Sequence, residues 1–314
     1  MPVLVYIESS DGKIKKSSQE AISYASELGE EVITVCLSDV SDDELASCGK
    51  NGSSKVLISN LPIESVEAAA SALAQAFKST GSTTVVMAKS TDSGIIAGRL
   101  AIKIDASMVS NVIALPDTSD GYVVRKSIFT GNAFANVTLK KGNKVLLINK
   151  NTVEVKEDGQ EATIEKFTPQ INEDDKRVKI IKSDKTSGKV LLPEADIVVS
   201  GGRGLKGPEN WGMIEELAEV LGAATGCSKP VSDMDWRPHS EHVGQTGIKV
   251  SPSLYIAIGI SGAIQHLAGV NSSKYIVVIN TDEEAPFFKA ADYGIVGDAF
   301  EVVPKLIEAV KAIQ

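Results

Sequence analysis

The sequence has little cysteine and no cysteine cluster. Its three cysteines, Cys36, Cys48 and Cys227, lie far apart and form neither a CxxC motif nor a zinc-type spacing. This pattern excludes a disulfide framework and a structural zinc site, and it is typical of a protein from a reducing compartment. His239 and His242 stand close together in a loop, but no further ligand set accompanies them, so we interpret them as loop residues and expect no metal site.

The chain also lacks an excess of positive charge and a long apolar run. With 32 basic against 41 acidic residues its net charge is −9, which argues against nucleic acid or an anionic membrane as the main partner. The uncharged stretch 250–273 is too rich in glycine, serine and other polar residues to cross a bilayer. No secretory signal opens the sequence. We expect a soluble protein of the bacterial cytoplasm, or of the mitochondrial matrix if the chain is a processed eukaryotic one.

The length of 314 residues predicts two domains, each with its own core. In the first half, short apolar runs alternate with helical patterns, which indicates βαβ units and a parallel sheet. The predicted strands are 3–8, 32–37, 55–59 and 84–88, and the predicted helices are 19–28, 65–78 and 93–104.

The pattern changes after Pro116. Segments 122–130, 133–140 and 144–150 are separated by Gly-Asn and Lys-Gly-Asn turns, which predicts antiparallel hairpins. Strand-like pieces follow at 162–167 and 178–181, and residues 182–188 have linker composition. We therefore predict a boundary near residue 190, with an N-terminal α/β domain over 1–190 and a second domain over 191–314.

The second half returns to strand–helix alternation. The predicted strands are 196–200, 254–260 and 275–280, with a fourth apolar run at 291–296, and the predicted helices are 209–221 and 300–313. The fold class is thus α/β, with two domains that each contain a mostly parallel sheet flanked by helices, and with extra antiparallel hairpins in the first.

The junction after the first strand of the second half spells GxGxxG through Gly202, Gly204 and Gly207, with Arg203 and Lys206 inside the loop. Such a loop can bind a phosphate at the carboxyl end of a strand. A tight structural turn would use the same glycines, and no acidic residue is clearly placed to bind a ribose about 20 residues further on. Two cations in the loop of an acidic protein favour an anionic ligand.

The junction after strand 254–260 is more informative. Ser261 is predicted to begin a helix, together with two small residues that let the backbone approach a ligand, and Gln265 and His266 fall in the first turns. The alternative is that His266 is a satisfied histidine on a helix, which is the commoner case for a lone histidine. A serine hydrolase is disfavoured because the GxSxG spacing is missing around Ser261. The residues thus predict a site of dinucleotide size in the second domain without identifying the ligand.

Several long motifs in the second half, in the right order, resemble the α subunit of electron transfer flavoproteins. They are 198–206, 243–247 (Val-Gly-Gln-Thr-Gly), 254–269 and 285–298. The close resemblance covers about residues 190–310, while the first half is similar to the family's N-terminal domain in layout. The resemblance implies FAD as cofactor and a β subunit as partner in a heterodimer, with the first domain as scaffold and β-subunit contact.

The resemblance also implies the residues that contact the cofactor. Thr246 would bond near flavin N5, His266 would lie near the pyrimidine edge where the reduced ring concentrates negative charge, Asp298 would suit a ribose, and the Ser261 helix start would suit the pyrophosphate. The implied cofactor-binding set is Arg203, Ser228, Val243, Gly244, Gln245, Thr246, Ser261, Gly262, Ala263, Ile264, Gln265, His266, Asn280, Asp298 and Ala299.

Two positions depart from the family pattern. Lys229 stands where the family commonly has Arg, which keeps the positive charge but replaces a planar fork by a compact, strongly hydrated ammonium. We therefore hypothesise that Lys229 tunes the redox potential of the flavin differently, together with Thr246 and His266. His242 stands where the family often has Gln, which puts that contact in doubt.

The resemblance implies an electron carrier and not an enzyme. Such a carrier takes electrons one at a time from flavin dehydrogenases, such as the acyl-CoA dehydrogenases of fatty acid β-oxidation, and passes them to a membrane quinone oxidoreductase or similar acceptor. An alternative is a subunit of an electron-bifurcating, NADH-linked flavoprotein complex. A nucleotide-binding sensor that uses the first domain is a third possibility, but the segment Glu8–Gly12 after the first strand is too polar and too poor in glycine for a phosphate loop.

Overall fold

The computed structural model describes residues 1–59, 61, 63, 65–131, 133–178, 180–181 and 191–313. The chain divides into two compact units, Met1–Ser183 and Asp184–Gln314. The predicted linker 182–188 lies outside the described residues, and the boundary at 190 stays a prediction. Within the described part, no helix combines the length and the apolar character that a bilayer span needs.

The first unit is built on a nine-stranded sheet in the order β11-β5-β4-β1-β6-β10-β7-β8-β9. All neighbours in it are parallel except the pairs β7–β8 and β8–β9. Its strands are β1 (Val3–Ile7), β4 (Val32–Cys36), β5 (Lys55–Ser59), β6 (Thr84–Ala88), β7 (Ala106–Val112), β8 (Tyr122–Ile128), β9 (Ala133–Leu139), β10 (Asn143–Ile148) and β11 (Thr163–Phe167), and a small ribbon joins β2 (Ser9–Ser10) to β3 (Lys13–Ile14).

Helices cover this sheet through apolar faces, and two separate clusters of buried residues lie on its two sides. The helices are α1 (Lys16–Glu27), α2 (Asp42–Ala46), α3 (Val66–Thr80) and α4 (Thr91–Lys103). Capping residues fix both ends of α3. The Ser65 hydroxyl accepts a hydrogen bond from the Ala68 backbone N–H, and Gly81 ends the helix in the left-handed conformation. The buried alanines of α3 let it pack closely on the sheet.

One predicted hairpin in this unit is wrong. Residues 144–150 were expected to pair antiparallel with the preceding segment, but β10 runs parallel to both β6 and β7 and lies between them. The reason is burial on both faces: Val145 to Ile148 are four consecutive buried apolar residues, a pattern that suits a central parallel strand. Strand β7 was not predicted, and no strand forms at the described residues of 178–181. The hairpin β8–β9 is confirmed.

The second unit contains a five-stranded, fully parallel sheet in the order β13-β12-β14-β15-β16. Its elements are β12 (Ile197–Gly201), α5 (Gly212–Leu221), β13 (Ala224–Cys227), α6 (Lys229–Asp233), β14 (Leu254–Ile258), α7 (Ile264–Val270), β15 (Tyr275–Asn280), β16 (Tyr293–Val296) and α8 (Ala299–Ile313). Apolar clusters fill both faces of this sheet as well. The α/β class with two mostly parallel sheets is thus confirmed.

Two helix starts in this unit differ from prediction. The helix expected from residue 209 begins at Gly212, because a 3-10 turn over Pro208–Asn210 precedes it. The helix expected from Ser261 begins at Ile264, since Gly262 has a φ of +80° and Ala263 is the N-cap. The residues from Ser261 to Ala263 are therefore a loop that leads into α7.

Candidate functional site

The order of the second sheet marks one place for a ligand. The chain leaves β12 in one direction to form β13 and returns on the other side to form β14, so the connections diverge between β12 and β14. Ligands of open α/β sheets bind at the carboxyl ends of strands at such a switch point. A cleft of about 440 Å³ lies here, lined by Arg203, Gly204, Ser228, Lys229, Pro230, Asp233, His242, Val243, Gly244, Gln245, Thr246, Gly259, Ile260, Ser261, Ala263, Gln265, His266, Asn280 and Asp282.

Glycines form the floor where the two strand-end loops meet. The Gly204 N–H donates to the Gly259 carbonyl over 3.0 Å, and the Gly202 N–H donates to the Ile258 carbonyl over 2.8 Å. A Cβ at Gly202 would lie 2.1 Å from the Gly259 oxygen, and one at Gly204 would lie 2.8 Å from the Gly259 Cα. The first two glycines of the GxGxxG pattern therefore serve the close approach of two loops, and this packing leaves Arg203 on the cleft.

A third loop, Val243–Gly247, closes the cleft beside α7. The Gln245 N–H donates to the Gln265 carbonyl over 2.7 Å, which ties the loop to the first turn of the helix. A Cβ at Gly269 would lie 2.6 Å from the Gly244 backbone, so the loop and the helix touch without a side chain between them. The side chains of Gln245 and Thr246 remain exposed and line the cleft.

The histidines on the cleft are buried and incompletely paired. His266 is 6% exposed, and its Nε2 lies 2.9 Å from the Tyr255 hydroxyl. Burial, and secondarily the charge of His242, lowers the pKa of His266 to about 4. The pKa of His242 is also lowered, mainly by burial and then by His239 and Lys229. Among the described residues, neither Nδ1 atom has a hydrogen-bond partner.

Unpaired buried nitrogens cost free energy unless a further group satisfies them. Two of them on one cleft, next to exposed amide and hydroxyl side chains, make a site that can accept a polar, hydrogen-bonding ring. Because His266 is neutral at pH 7, it can offer such a ring a hydrogen bond but no charge.

The two lysines near the cleft, Lys229 and Lys206, have different partners. Lys229 Nζ lies 2.6 and 2.7 Å from the two carboxylate oxygens of Asp233, one turn later in α6, and both side chains are exposed. Its charge is therefore shared with an acid that also lines the cleft. Lys206 points its ammonium at the Phe300 ring, 4.8 Å from the centroid, and does not line the cleft.

Most of the expected residues come together here. Of the set named from the resemblance, Gly262, Ile264, Asp298 and Ala299 do not line the cleft. Gly262 packs against Phe287, and Ile264 is 72% exposed at the start of α7. Asp298 accepts a hydrogen bond from the Phe300 backbone over 3.0 Å, which caps α8.

Sequence reasoning missed some lining residues. Gly259 and Ile260 directly follow β14, and Asp282 follows β15, so their place at strand ends was the signal that would have found them. Asp233, at the end of α6, lines the cleft as well and was not predicted to do so. His242, which was in doubt, lines the cleft.

Comparison with known proteins gives two family matches that together cover most of the chain. The electron transfer flavoprotein domain matches residues 3–172, and the electron transfer flavoprotein FAD-binding domain matches residues 191–271. The chain is 36% identical to the electron transfer flavoprotein subunit alpha of Syntrophomonas wolfei, over 98% of each chain. It is 37% identical to that of Mycobacterium tuberculosis over 99% of this chain and 98% of the relative, and 42% identical to that of Bacillus subtilis over 69% and 67%.

Proposed function

Because this chain belongs to the electron transfer flavoprotein family as an α subunit, we propose that it binds FAD in the cleft between β12 and β14 and carries electrons as half of a heterodimer with a β subunit. The observation that carries this proposal is the position of the cleft, at the switch point of the unit that matches the FAD-binding domain.

The residues present fit a flavin nucleotide. His242 and His266 line the cleft, and since their Nδ1 atoms have no partner among the described residues, the two imidazoles can hydrogen-bond a polar ring. The glycines bring backbone close to the cleft, as a bulky ligand requires, and Arg203 gives the cleft positive charge for phosphates. FAD, when bound, supplies the capacity to accept and release electrons one at a time.

The protein's own part is to bind, orient and tune. In the proposal Thr246 places its hydroxyl near flavin N5 and His266 donates to the pyrimidine edge, where negative charge collects on reduction. Asn280 holds the end of β15 to the loop that follows the neighbouring strand β14, since its Nδ2 donates to the Ile260 carbonyl over 3.0 Å. Ser228, Val243, Gly244, Gln245 and Ser261 to Gln265 complete the proposed contacts.

Asp298 and Ala299 stay in the proposed set although they do not line the cleft. The Asp298 carboxylate lies 3.9 Å from Lys206, which belongs to the same loop as Arg203. A nucleotide that extends past Arg203 would meet this carboxylate, which suits a ribose hydroxyl pair.

The proposed electron path runs from flavin dehydrogenases, such as acyl-CoA dehydrogenases, to a membrane quinone oxidoreductase or similar acceptor. In this role the chain is a carrier and not an enzyme, the first unit is a scaffold that contacts the β subunit, and the site of action is the bacterial cytoplasm or the mitochondrial matrix.

Stepwise reduction of the chain co-expressed with its β partner tests the proposal. We expect one FAD per heterodimer, bleached in two one-electron steps by a dehydrogenase and its substrate. Two flavins per heterodimer with direct reduction by NADH would instead identify an electron-bifurcating complex. A colourless complex that takes up no FAD would contradict the proposal. The variant Gly202→Val, in which the two strand-end loops beside the cleft can no longer pack together, is a negative control for FAD uptake.

A further inference from the structure

Tyr255 is a buried residue behind the cleft that the proposed function does not use. It lies on β14, is fully buried, and does not line the cleft. Its hydroxyl is 2.9 Å from His266 Nε2, and its ring stacks on Phe287 with centroids 6.3 Å apart. Phe287 in turn meets the His266 ring edge-on at 5.6 Å. The imidazole is thus held on one side by a hydrogen bond and on another by an aromatic ring.

The hydrogens in this contact can be counted. Burial keeps His266 neutral at pH 7, so its ring carries one N–H. Burial also raises the pKa of Tyr255 well above its usual value, so its hydroxyl keeps its hydrogen. Within the described residues, two polar groups meet that hydroxyl: His266 Nε2, and the buried Ser200 hydroxyl, whose hydrogen bond acts to lower the pKa of Tyr255 and which has no other partner.

Only one arrangement satisfies every hydrogen of this contact. If the tyrosine hydroxyl donates to Nε2, the Ser200 hydroxyl can donate to the tyrosine oxygen, and the imidazole hydrogen must be on Nδ1. If Nε2 donates instead, the tyrosine hydrogen must turn to the Ser200 oxygen, and the buried Ser200 hydrogen is left without an acceptor, which is costly in an apolar core. The first arrangement is therefore favoured.

We propose that Tyr255 is a positioning residue that sets the tautomer of His266, so that His266 Nδ1 carries the hydrogen and is presented to the cleft as a hydrogen-bond donor. Nε2 is tied to the core, and Nδ1 is the polar side-chain atom that His266 has left to offer. A donor at this point suits a ligand atom that is an acceptor and that gains negative charge. That last step rests on the proposed flavin function, whereas the tautomer itself does not.

The experiment reads the tautomer directly by nitrogen NMR. The chain contains three histidines, so a sample of the full-length chain made with ¹⁵N-labelled histidine gives a spectrum that the variants His239→Gln and His242→Gln can assign. At pH 7 we expect the His266 signals of an Nδ1–H tautomer. In Tyr255→Phe, which keeps the ring stacking on Phe287, we expect Nε2–H to gain population. FAD binding to the heterodimer should weaken about fivefold, the ratio that loss of one ordinary hydrogen bond produces.

Tyr275→Phe is the matched control, because Tyr275 is half-exposed on the adjacent strand β15 and should leave the His266 tautomer unchanged. A wild-type spectrum with the hydrogen on Nε2 would overturn the proposal, as would an unchanged tautomer in Tyr255→Phe. A chain that shows the Nδ1–H tautomer but whose heterodimer takes up no FAD would support the tautomer assignment and refute the proposed function.

Discussion

Each of the two units has a switch point in its own sheet, and different side chains lie at the two points. In the first unit the chain leaves β1 towards β4 and later returns to β6 on the other side, just as β13 and β14 flank β12 in the second. At the first crossing the Glu8 carboxylate accepts a hydrogen bond from the Ser90 hydroxyl over 2.6 Å, and Ser90 itself caps α4. At the second crossing glycine loops leave a cleft with two unpartnered histidine nitrogens. Topology marks a place for a ligand, and side chains decide whether the chain itself occupies it.

The largest effect is expected from a larger side chain at the switch point of the second unit. Gly202→Val places a Cβ 2.1 Å from a backbone oxygen, so we expect the second unit to lose about 3 kcal/mol or more of stability and FAD binding to be lost. Both tryptophans, Trp211 and Trp236, belong to this unit, so urea unfolding followed by their fluorescence reports on it. Gly212→Ala, with no atom within 4 Å of its Cβ, is the control. Equal stability of the two variants would contradict this packing.

A smaller effect is expected from pH, which should change the free energy of unfolding of the two units in different ways. His266 takes up a proton near pH 6.5 when unfolded but only at about pH 4 when folded, so between these values the unfolded state binds the proton and the folded state does not. The free energy of unfolding of the second unit should therefore fall by about 3 kcal/mol as the pH drops from 6.5 to 4.

Urea unfolding followed by tryptophan fluorescence at a series of pH values measures how steeply the free energy of unfolding changes with pH. In His266→Gln this slope should be smaller. An unchanged slope in His266→Gln would exclude His266 as its source. The first unit holds none of the three histidines. Its buried Glu20 has a pKa raised by burial, against the opposing effect of backbone N–H groups, so it contributes with the opposite sign.

A third change tests the contact between Ser90 and Glu8 at the switch point of the first unit. Ser90→Ala removes the cap of α4 and the donor to Glu8, and we expect the first unit to lose about 1 kcal/mol while FAD binding is unaffected. Circular dichroism during urea unfolding measures the loss. Ser79→Ala, at an exposed position near the end of α3, should change stability by less. A comparable loss in both variants would show that the crossing itself is not the cause.

The smallest stability effect is expected on the open cleft. Lys229 and Asp233 form an exposed pair, so Lys229→Arg should change the free energy of unfolding by less than about 0.5 kcal/mol. We expect the one-electron reduction potentials of bound FAD to shift nevertheless, because a planar guanidinium distributes its charge differently from an ammonium. A redox titration with unchanged potentials would remove Lys229 from the tuning residues.

Local sequence patterns predicted the limits of helices and strands better than they predicted which strands pair with each other. Strands β5 and β6 were predicted at their observed limits, and α5 ends at residue 221 as predicted, with Gly222 as its C-cap. The pairing of β10 escaped prediction because a Lys-Gly-Asn turn resembles a hairpin turn, and the chain's long-range return between β6 and β7 leaves no local trace. The four-residue apolar run of β10 was the available signal.

The site was readable only in part for a related reason. Motif order brought most lining residues together, and glycine spacing indicated close backbone contact. The unpaired Nδ1 atoms of His242 and His266 could not be predicted, because they depend on which atoms the folded core places around each ring. The helix start at Ile264 was missed because Ala263, its N-cap, has no capping side chain.

The position of β10 also dictates the order in which the first unit can be completed during synthesis. Its neighbours β6 and β7 both precede it in the chain, so they leave the ribosome with the edges that face each other unpaired. Until Ile148 has emerged, those backbone groups are open to water or to another nascent chain. β11 then adds to β5 at the far edge of the sheet. A central strand therefore joins two sets of strands that were made before it, late in translation of the unit and through contacts distant in sequence, which is the regime of slow folding.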